Sequence, residues 1–254
     1  MHPHIRMALA AALVAAVVVS ATLGVPAVAA GGGSQSRITV FGASSLTDVL
    51  PRIDHAPRYS FGGSNMLAAQ IRHGAPADVF ASANMALPRQ LAAQGLCSPP
   101  VAFTRNRLVL IVPRANPAGI RRVGDLRRPG TKLVVAGDGV PVGSYTRKAL
   151  QNVGLSSVLA NVVSNETNVR EVLAKVALGE ADAGFVYSTD AKTVSGKVRV
   201  LALPARARAD VRYGICLTTD GQASRAAQAF VRKVLGTAGQ AKLAAAGFLP
   251  LSRG

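Results

Sequence analysis

Short apolar runs alternate with amphipathic stretches along most of the chain. Arg37-Ile38-Thr39-Val40-Phe41 has strand length and ends at Gly42-Ala43-Ser44-Ser45; a short helical piece follows from Leu46 and is interrupted at Pro51. Arg58-Tyr59-Ser60-Phe61 predicts a second strand, and Gly62-Gly63-Ser64-Asn65 opens a helix with Leu67 and Ile71 on one face. A strand over Ala77–Ala81, a helix near Leu87 to Gln94 and a strong strand over Arg107–Val112 complete this half, which closes at Pro113. The second half repeats the alternation. Lys132–Ala136 is a strand that leads through Gly137–Gly143 to a helix from Ser144 to about Val153. A short strand near Asn161 to Val163 precedes a helix carrying Val169, Val172, Leu173 and Val176 at i, i+3, i+4, i+7 spacing. Strands follow at Ala183–Tyr187, Val198–Leu203 and Arg212–Leu217, then helices over Ser224–Leu235 and near Gln240 to Ala245.

Strands that alternate with helices predict an α/β architecture with mostly parallel sheets. Elements up to Val112 and from Val211 suit one lobe, and those between suit another. The expected division is residues 37–112 and 211–254 for the first lobe and 113–210 for the second.

The chain's first thirty residues follow a different pattern. An apolar run from Met7 to Ala30 carries no charge and ends in Pro26-Ala27-Val28-Ala29-Ala30, with small residues where a signal peptidase accepts them. Residues 1–30 read as a signal peptide, with a retained anchor as the alternative, and residues 31–36 as a flexible lead-in. The expected product is an exported protein, in the periplasm or on the outer face of the cytoplasmic membrane.

Composition narrows the function classes. Of 254 residues, 49% are hydrophobic and 16% charged, which excludes a disordered chain or a coiled coil. A net charge of +17 invites a nucleic-acid reading, but aromatics are 4% and Trp is absent, so base-stacking platforms are poorly supplied. Arg121-Arg122 and Arg127-Arg128 sit in a loop without aromatics and read as solvated basic surface; no nucleic-acid partner is expected. His55 and His73 are the histidines beyond the leader, and neither Gly-x-Ser-x-Gly nor His-Glu-x-x-His occurs, which argues against an exported hydrolase. No Cys/His cluster has metal-ligand spacing. Cys97 and Cys216 are compatible with either one disulfide or two buried thiols.

One feature recurs. Polar or Gly-rich turns introduce helices at Ser44-Ser45, Gly62-Gly63-Ser64-Asn65, Pro141-Val142-Gly143-Ser144 and Asn165 to Asn168. Helix N-termini carry unpaired backbone N–H groups and the positive end of the helix dipole, so each can receive an anion. For any one of these turns, plain capping by Ser, Asn and Gly is the better explanation. Both explanations stay open on composition and spacing alone.

The motifs themselves resemble a known family. Ile38-Thr39-Val40-Phe41-Gly42-Ala43-Ser44-Ser45-Leu46-Thr47 is similar to the opening of the molybdate-binding proteins that serve ABC importers. Ser60-Phe61-Gly62-Gly63-Ser64-Asn65-Met66-Leu67-Ala68 and Gly74–Ala83 resemble the second family block, Asn106-Arg107-Leu108-Val109-Leu110 resembles the family's hinge strand, and the later blocks match in order through Gly184–Ala191. The resemblance spans roughly Ile38 to Pro250. It implies a two-lobed periplasmic-binding-protein fold of type II with a ligand cleft between the lobes. It also implies a monomer that captures molybdate, and tungstate as well, and passes it to the transmembrane subunit of a permease. The family's oxyanion contacts fall on Ser45 and Ser64 in the first lobe and on Val142, Val169 and Tyr187 in the second. Ser44 and Asn65 are their neighbours. No catalytic residue, cofactor or cationic metal is implied. Sulfate or another tetrahedral oxyanion is the alternative ligand. The segment between Thr47 and Ser60 holds only twelve residues, shorter than the family's usual helix and strand, and bears on the placing of Ser45.

Overall fold

The computed structural model describes residues 37–251; the leader and lead-in expected over 1–36 lie outside the described residues. The chain begins with β1 (Thr39–Ala43) and one turn of 3-10 helix at Ser44–Leu46. It continues through α1 (Leu50–Ile53), β2 (Arg58–Gly62), α2 (Ser64–Arg72), β3 (Val79–Ser82), α3 (Ala86–Ala93) and β4 (Val101–Asn106). After the single residue Arg107 come β5 (Leu108–Pro113), β6 (Leu133–Ala136), α4 (Pro141–Asn152), β7 (Val162–Glu166) and α5 (Val169–Ala177). β8 (Ala183–Tyr187), α6 (Ser188–Thr193), β9 (Val198–Leu201) and β10 (Val211–Leu217) follow, and α7 (Thr219–Gln222), α8 (Arg225–Leu235) and α9 (Thr237–Ala246) end the described chain.

Two five-stranded sheets organise these elements, ordered β2-β1-β3-β10-β4 and β7-β6-β8-β5-β9. In each, three strands run parallel through strand–helix–strand units, and two more add antiparallel pairings, β10 with β3 and β4, and β5 with β8 and β9. The sheets are therefore mixed rather than mostly parallel. The cause is the return of the chain: β5 and β10 each arrive from the opposite lobe and pair antiparallel with their neighbours in the sheet they join.

β5 also corrects the expected lobe boundary. Leu108 pairs with Tyr187 in the second sheet, whereas Asn106 pairs with Val211 in the first, so the chain changes lobe at Arg107 and not after Val112. No Gly or Pro marks that crossing, and an apolar strand reads the same in either sheet. β4 and α6 were likewise unmarked: β4 has mixed composition at a sheet edge, and α6 is only six residues long.

Helix α5 shows how sequence becomes packing. Val169, Val172, Leu173 and Val176 are all buried, as their spacing requires, each contributing about 1.5–3 kcal/mol of transfer free energy. Opposite them in β8 stands Gly184, where a Cβ would press against Val172, Val176 and Val134. The missing side chain lets helix and sheet approach closely. The short Thr47–Ser60 segment collapses to one turn, α1, with Pro51 in the first helical turn where its lost N–H is harmless. Val49 and Leu50 are buried there, and Tyr59 donates its hydroxyl to the Leu50 carbonyl, so the shortened link remains packed. Cys97 and Cys216 form a disulfide within the first lobe, Cα to Cα 6.0 Å, which settles the alternative left open by the sequence.

Candidate functional site

A cavity of about 200 Å³, counting its mouth, lies between the two sheets. The part of it open to the centre of a water-sized sphere is only about 10 Å³, far below the roughly 300–1,000 Å³ of pockets for drug-sized molecules. Ala43, Ser44, Ser45, Gly62, Gly63, Ser64 and Ala83 line it from the first lobe; Val140, Pro141, Val142, Asn168, Val169 and Tyr187 line it from the second. All five sequence-predicted residues (Ser45, Ser64, Val142, Val169 and Tyr187) thus face one space, as does Ser44, while Asn65 does not line it. With the short α1 segment, Ser45 lines the cavity.

Local structure explains why these positions offer donors. Three helical segments that start at the cavity lack side-chain caps: Ala43 precedes the Ser44–Leu46 turn, Gly63 precedes α2 and Val140 precedes α4, and none supplies a capping hydrogen bond. In α4, Pro141 has no N–H, so Val142 carries the first backbone donor of the helix. Two helices elsewhere in the chain are capped conventionally, α7 by Thr218 and α8 by Ser224. Capping does explain the fourth turn, where Asn168 accepts from the N–H groups of Arg170 (2.9 Å) and Glu171 (3.2 Å); that cap leaves the Val169 N–H outside it.

Neither candidate serine caps a helix. Ser64 sits inside the first turn of α2, and its Oγ accepts from the Ala83 N–H at 3.1 Å, which frees its own proton for another acceptor. Ser45 Oγ lies 2.8 Å from the Tyr213 hydroxyl, its neighbour on the side of β10. Tyr187 is 1% exposed, and its hydroxyl has no hydrogen-bond partner in the protein. Burial raises the ionisation of Tyr187 and Tyr213 well above the ordinary phenol range, so both keep their protons.

No charged side chain lines the cavity. The nearest cation in sequence, Arg170, is already engaged: its Nε lies 2.6 Å from Asp190 and its Nη2 2.5 Å from Asp48. Burial raises the Asp190 carboxyl to about 6, against the opposing pull of Arg170. A space with neutral donors and no carboxylate suits an anion that carries acceptors only. Among the described residues no His, Cys, Asp or Glu group could hold a metal ion, and no helix is long and apolar enough to cross a membrane. The arginines of the 119–130 loop are surface groups; Arg122 and Arg128 face Asp125 at 3.6 and 3.4 Å.

A two-lobed α/β fold with a small donor-lined cavity between its sheets suits a protein that encloses a small solute. A family model described as bacterial extracellular solute-binding protein matches residues 38–249, and the chain belongs to that family. It is 37% identical over 221 residues to the molybdate-binding protein ModA of Mycobacterium tuberculosis, covering 83% of this chain and 84% of that protein. It is 33% identical over 201 residues to the protein of that name in Haemophilus influenzae, covering 72% and 79%. Among solved structures, the periplasmic molybdate-binding protein of Azotobacter vinelandii superposes with a TM-score of 0.75 at 23% identity, over 85% of this chain and all of that one. The sulfate-binding protein SubI of M. tuberculosis reaches 0.71 at 17% identity, over 85% and 87%. As a member of that family, the chain is a solute-binding protein and not an enzyme.

What stands behind the lining is not legible in the sequence. Ala83, which supplies the donor to Ser64, falls in the Gly74–Ala83 block, where nothing local gives it a role. Tyr213 is 168 residues from Ser45 in the chain, and nothing local in Val211–Leu217 marks it.

Proposed function

We propose that this protein captures molybdate, and also tungstate, in the cavity between its lobes and delivers it to the transmembrane subunit of an ABC importer. In this reading Ser45 and Ser64 donate their hydroxyl and backbone N–H groups, Val142 and Val169 donate backbone N–H groups, and Tyr187 donates its phenol. The observation that carries the reading is the cavity lined by neutral donors, with uncapped helix starts and a buried Tyr187 hydroxyl lacking any protein partner. A fully deprotonated tetrahedral oxyanion has acceptors at every corner and satisfies such a set. Hydrogen phosphate brings a proton that needs an acceptor, and no carboxylate is at hand. The relatives' shared name as molybdate-binding proteins supports molybdate as that ion. The protein would work outside the cytoplasm as a monomer, with its basic surface drawing anions toward the cleft.

Calorimetric titration of residues 31–254 with molybdate, tungstate, sulfate and phosphate at one ionic strength tests this. Saturable, tight binding of molybdate and tungstate with weak sulfate and phosphate binding supports it. Preference for sulfate would keep the site and change its ligand. Binding of none would overturn the reading.

A further inference from the structure

Behind Ser45 runs a chain of buried polar groups in which the proton directions can be read. It begins at the lobe crossing. The Arg107 backbone N–H donates to Asn106 Oδ1 at 2.8 Å, and an N–H can only donate, so the amide oxygen of Asn106 must face it. Ser188 Oγ donates to the same oxygen at 3.1 Å. The Asn106 amide nitrogen is thereby turned to the other side, where it donates to Thr189 Oγ1 at 2.8 Å and to the Tyr213 hydroxyl oxygen at 3.3 Å. Asn106, Thr189, Tyr213 and Ser45 are all buried, from 0% to 4% exposed.

Tyr213 has one proton to give. Its oxygen accepts from Asn106, and Ser45 Oγ is the partner within reach, at 2.8 Å. Any other direction would leave the phenol proton buried and unpaired, a costly arrangement. The Tyr213 proton therefore points to Ser45 Oγ, and the Ser45 proton is left for the cavity.

From this order we infer that Tyr213 and Asn106 are positioning residues that hold Ser45 as a donor toward the bound anion. The inference rests on the proposed oxyanion site and deepens it: it assigns the selectivity between proton-free and proton-bearing oxyanions to groups that never touch the ligand. Hydrogen bonds in series polarise one another, so donation by Tyr213 also strengthens donation by Ser45.

A double-mutant cycle tests it, with molybdate affinity measured for wild type, Ser45→Ala, Tyr213→Phe and the double variant. Ser45→Ala should cost about 10–100-fold, and Tyr213→Phe about 3–10-fold. Because Tyr213 acts through Ser45, the double variant should bind within about twofold of Ser45→Ala alone. Multiplicative losses would overturn the inference. A second variant removes any dependence on how Tyr213→Phe folds. Asn106→Asp gives Tyr213 an acceptor, which reverses the chain and turns a Ser45 lone pair toward the cavity. Measured above neutrality, where molybdate and hydrogen phosphate are both divalent, the molybdate-to-phosphate affinity ratio should fall about tenfold or more, with charge repulsion cancelling in the ratio. An unchanged ratio would contradict the relay. Wild-type protein that binds no oxyanion would instead sink the function itself, an outcome distinct from either.

Discussion

Arg170 reaches across the cleft to Asp48: its Nη2 lies 2.5 Å from the carboxylate at the end of the first lobe's Ser44–Leu46 turn. The same guanidinium holds the fully buried Asp190 of the second lobe at 2.6 Å. Arg170 directly follows Val169, so one side chain ties together the starts of α5 and α6 and the turn that carries Ser45.

The two partners should respond differently to mutation. Asp48 is 46% exposed, and Asp48→Asn should weaken molybdate binding only about two- to fivefold, with little effect on stability. Arg170→Ala strands the Asp190 carboxylate and should cost about 3–5 kcal/mol of stability. Denaturant unfolding and calorimetry on both variants check this pair, and equal stability losses would contradict it.

Tyr187→Phe separates function from stability. The hydroxyl bonds nothing in the protein, so its removal should leave the thermal midpoint of the unliganded protein unchanged or higher. Molybdate affinity should fall about 10–100-fold, the worth of a hydrogen bond to a charged group. A lower midpoint with unchanged affinity would make Tyr187 structural.

Gly63 precedes α2 on one side of the cavity, and a Cβ there would collide with the Thr167 carbonyl oxygen on the other side. Gly63→Ala should therefore hold the lobes apart and cut molybdate affinity about tenfold or more while the protein stays folded. Circular dichroism alongside titration reads both quantities; retained affinity would show that the lobes tolerate the spacing.

Asp190 gives the protein a distinctive pH dependence. Burial raises its carboxyl from 3.8 to about 6, while Arg170 opposes the shift and Tyr187, Tyr213 and Asp48 stand near. Between these values the native state holds the proton more tightly than the unfolded chain does, so this group's contribution to stability declines as pH rises from about 4 to 6. Above that window both states are ionised and the contribution is flat. Relative to Asp190→Asn, the thermal midpoint of the wild type should drop across that window; parallel curves would rule out a native titration there.

Much of this was legible locally. The α5 stripe of Val169, Val172, Leu173 and Val176 reads from spacing alone, because one helix face must be apolar. The motif match put all five candidate residues on one cavity. The unread parts are long-range. Tyr213 meets Ser45, and Arg170 meets Asp48, across separations that no window of sequence spans. The lobe crossing at Arg107 carries no mark in composition or spacing, because a fully buried strand looks alike in either sheet; only the resemblance of Asn106–Leu110 to the family's hinge strand points to it. Uncapped helix starts could be suspected from Ala43, Gly63 and Val140, yet only the fold shows them converging.

The most direct measurement is anomalous diffraction at the molybdenum edge from crystals grown with molybdate. The account requires one strong peak inside the cavity, with oxygens within hydrogen-bond distance of Ser45, Ser64, Tyr187 and the Val142 and Val169 backbone nitrogens. A peak on the basic surface, or in the cavity but coordinated by other groups, would contradict it.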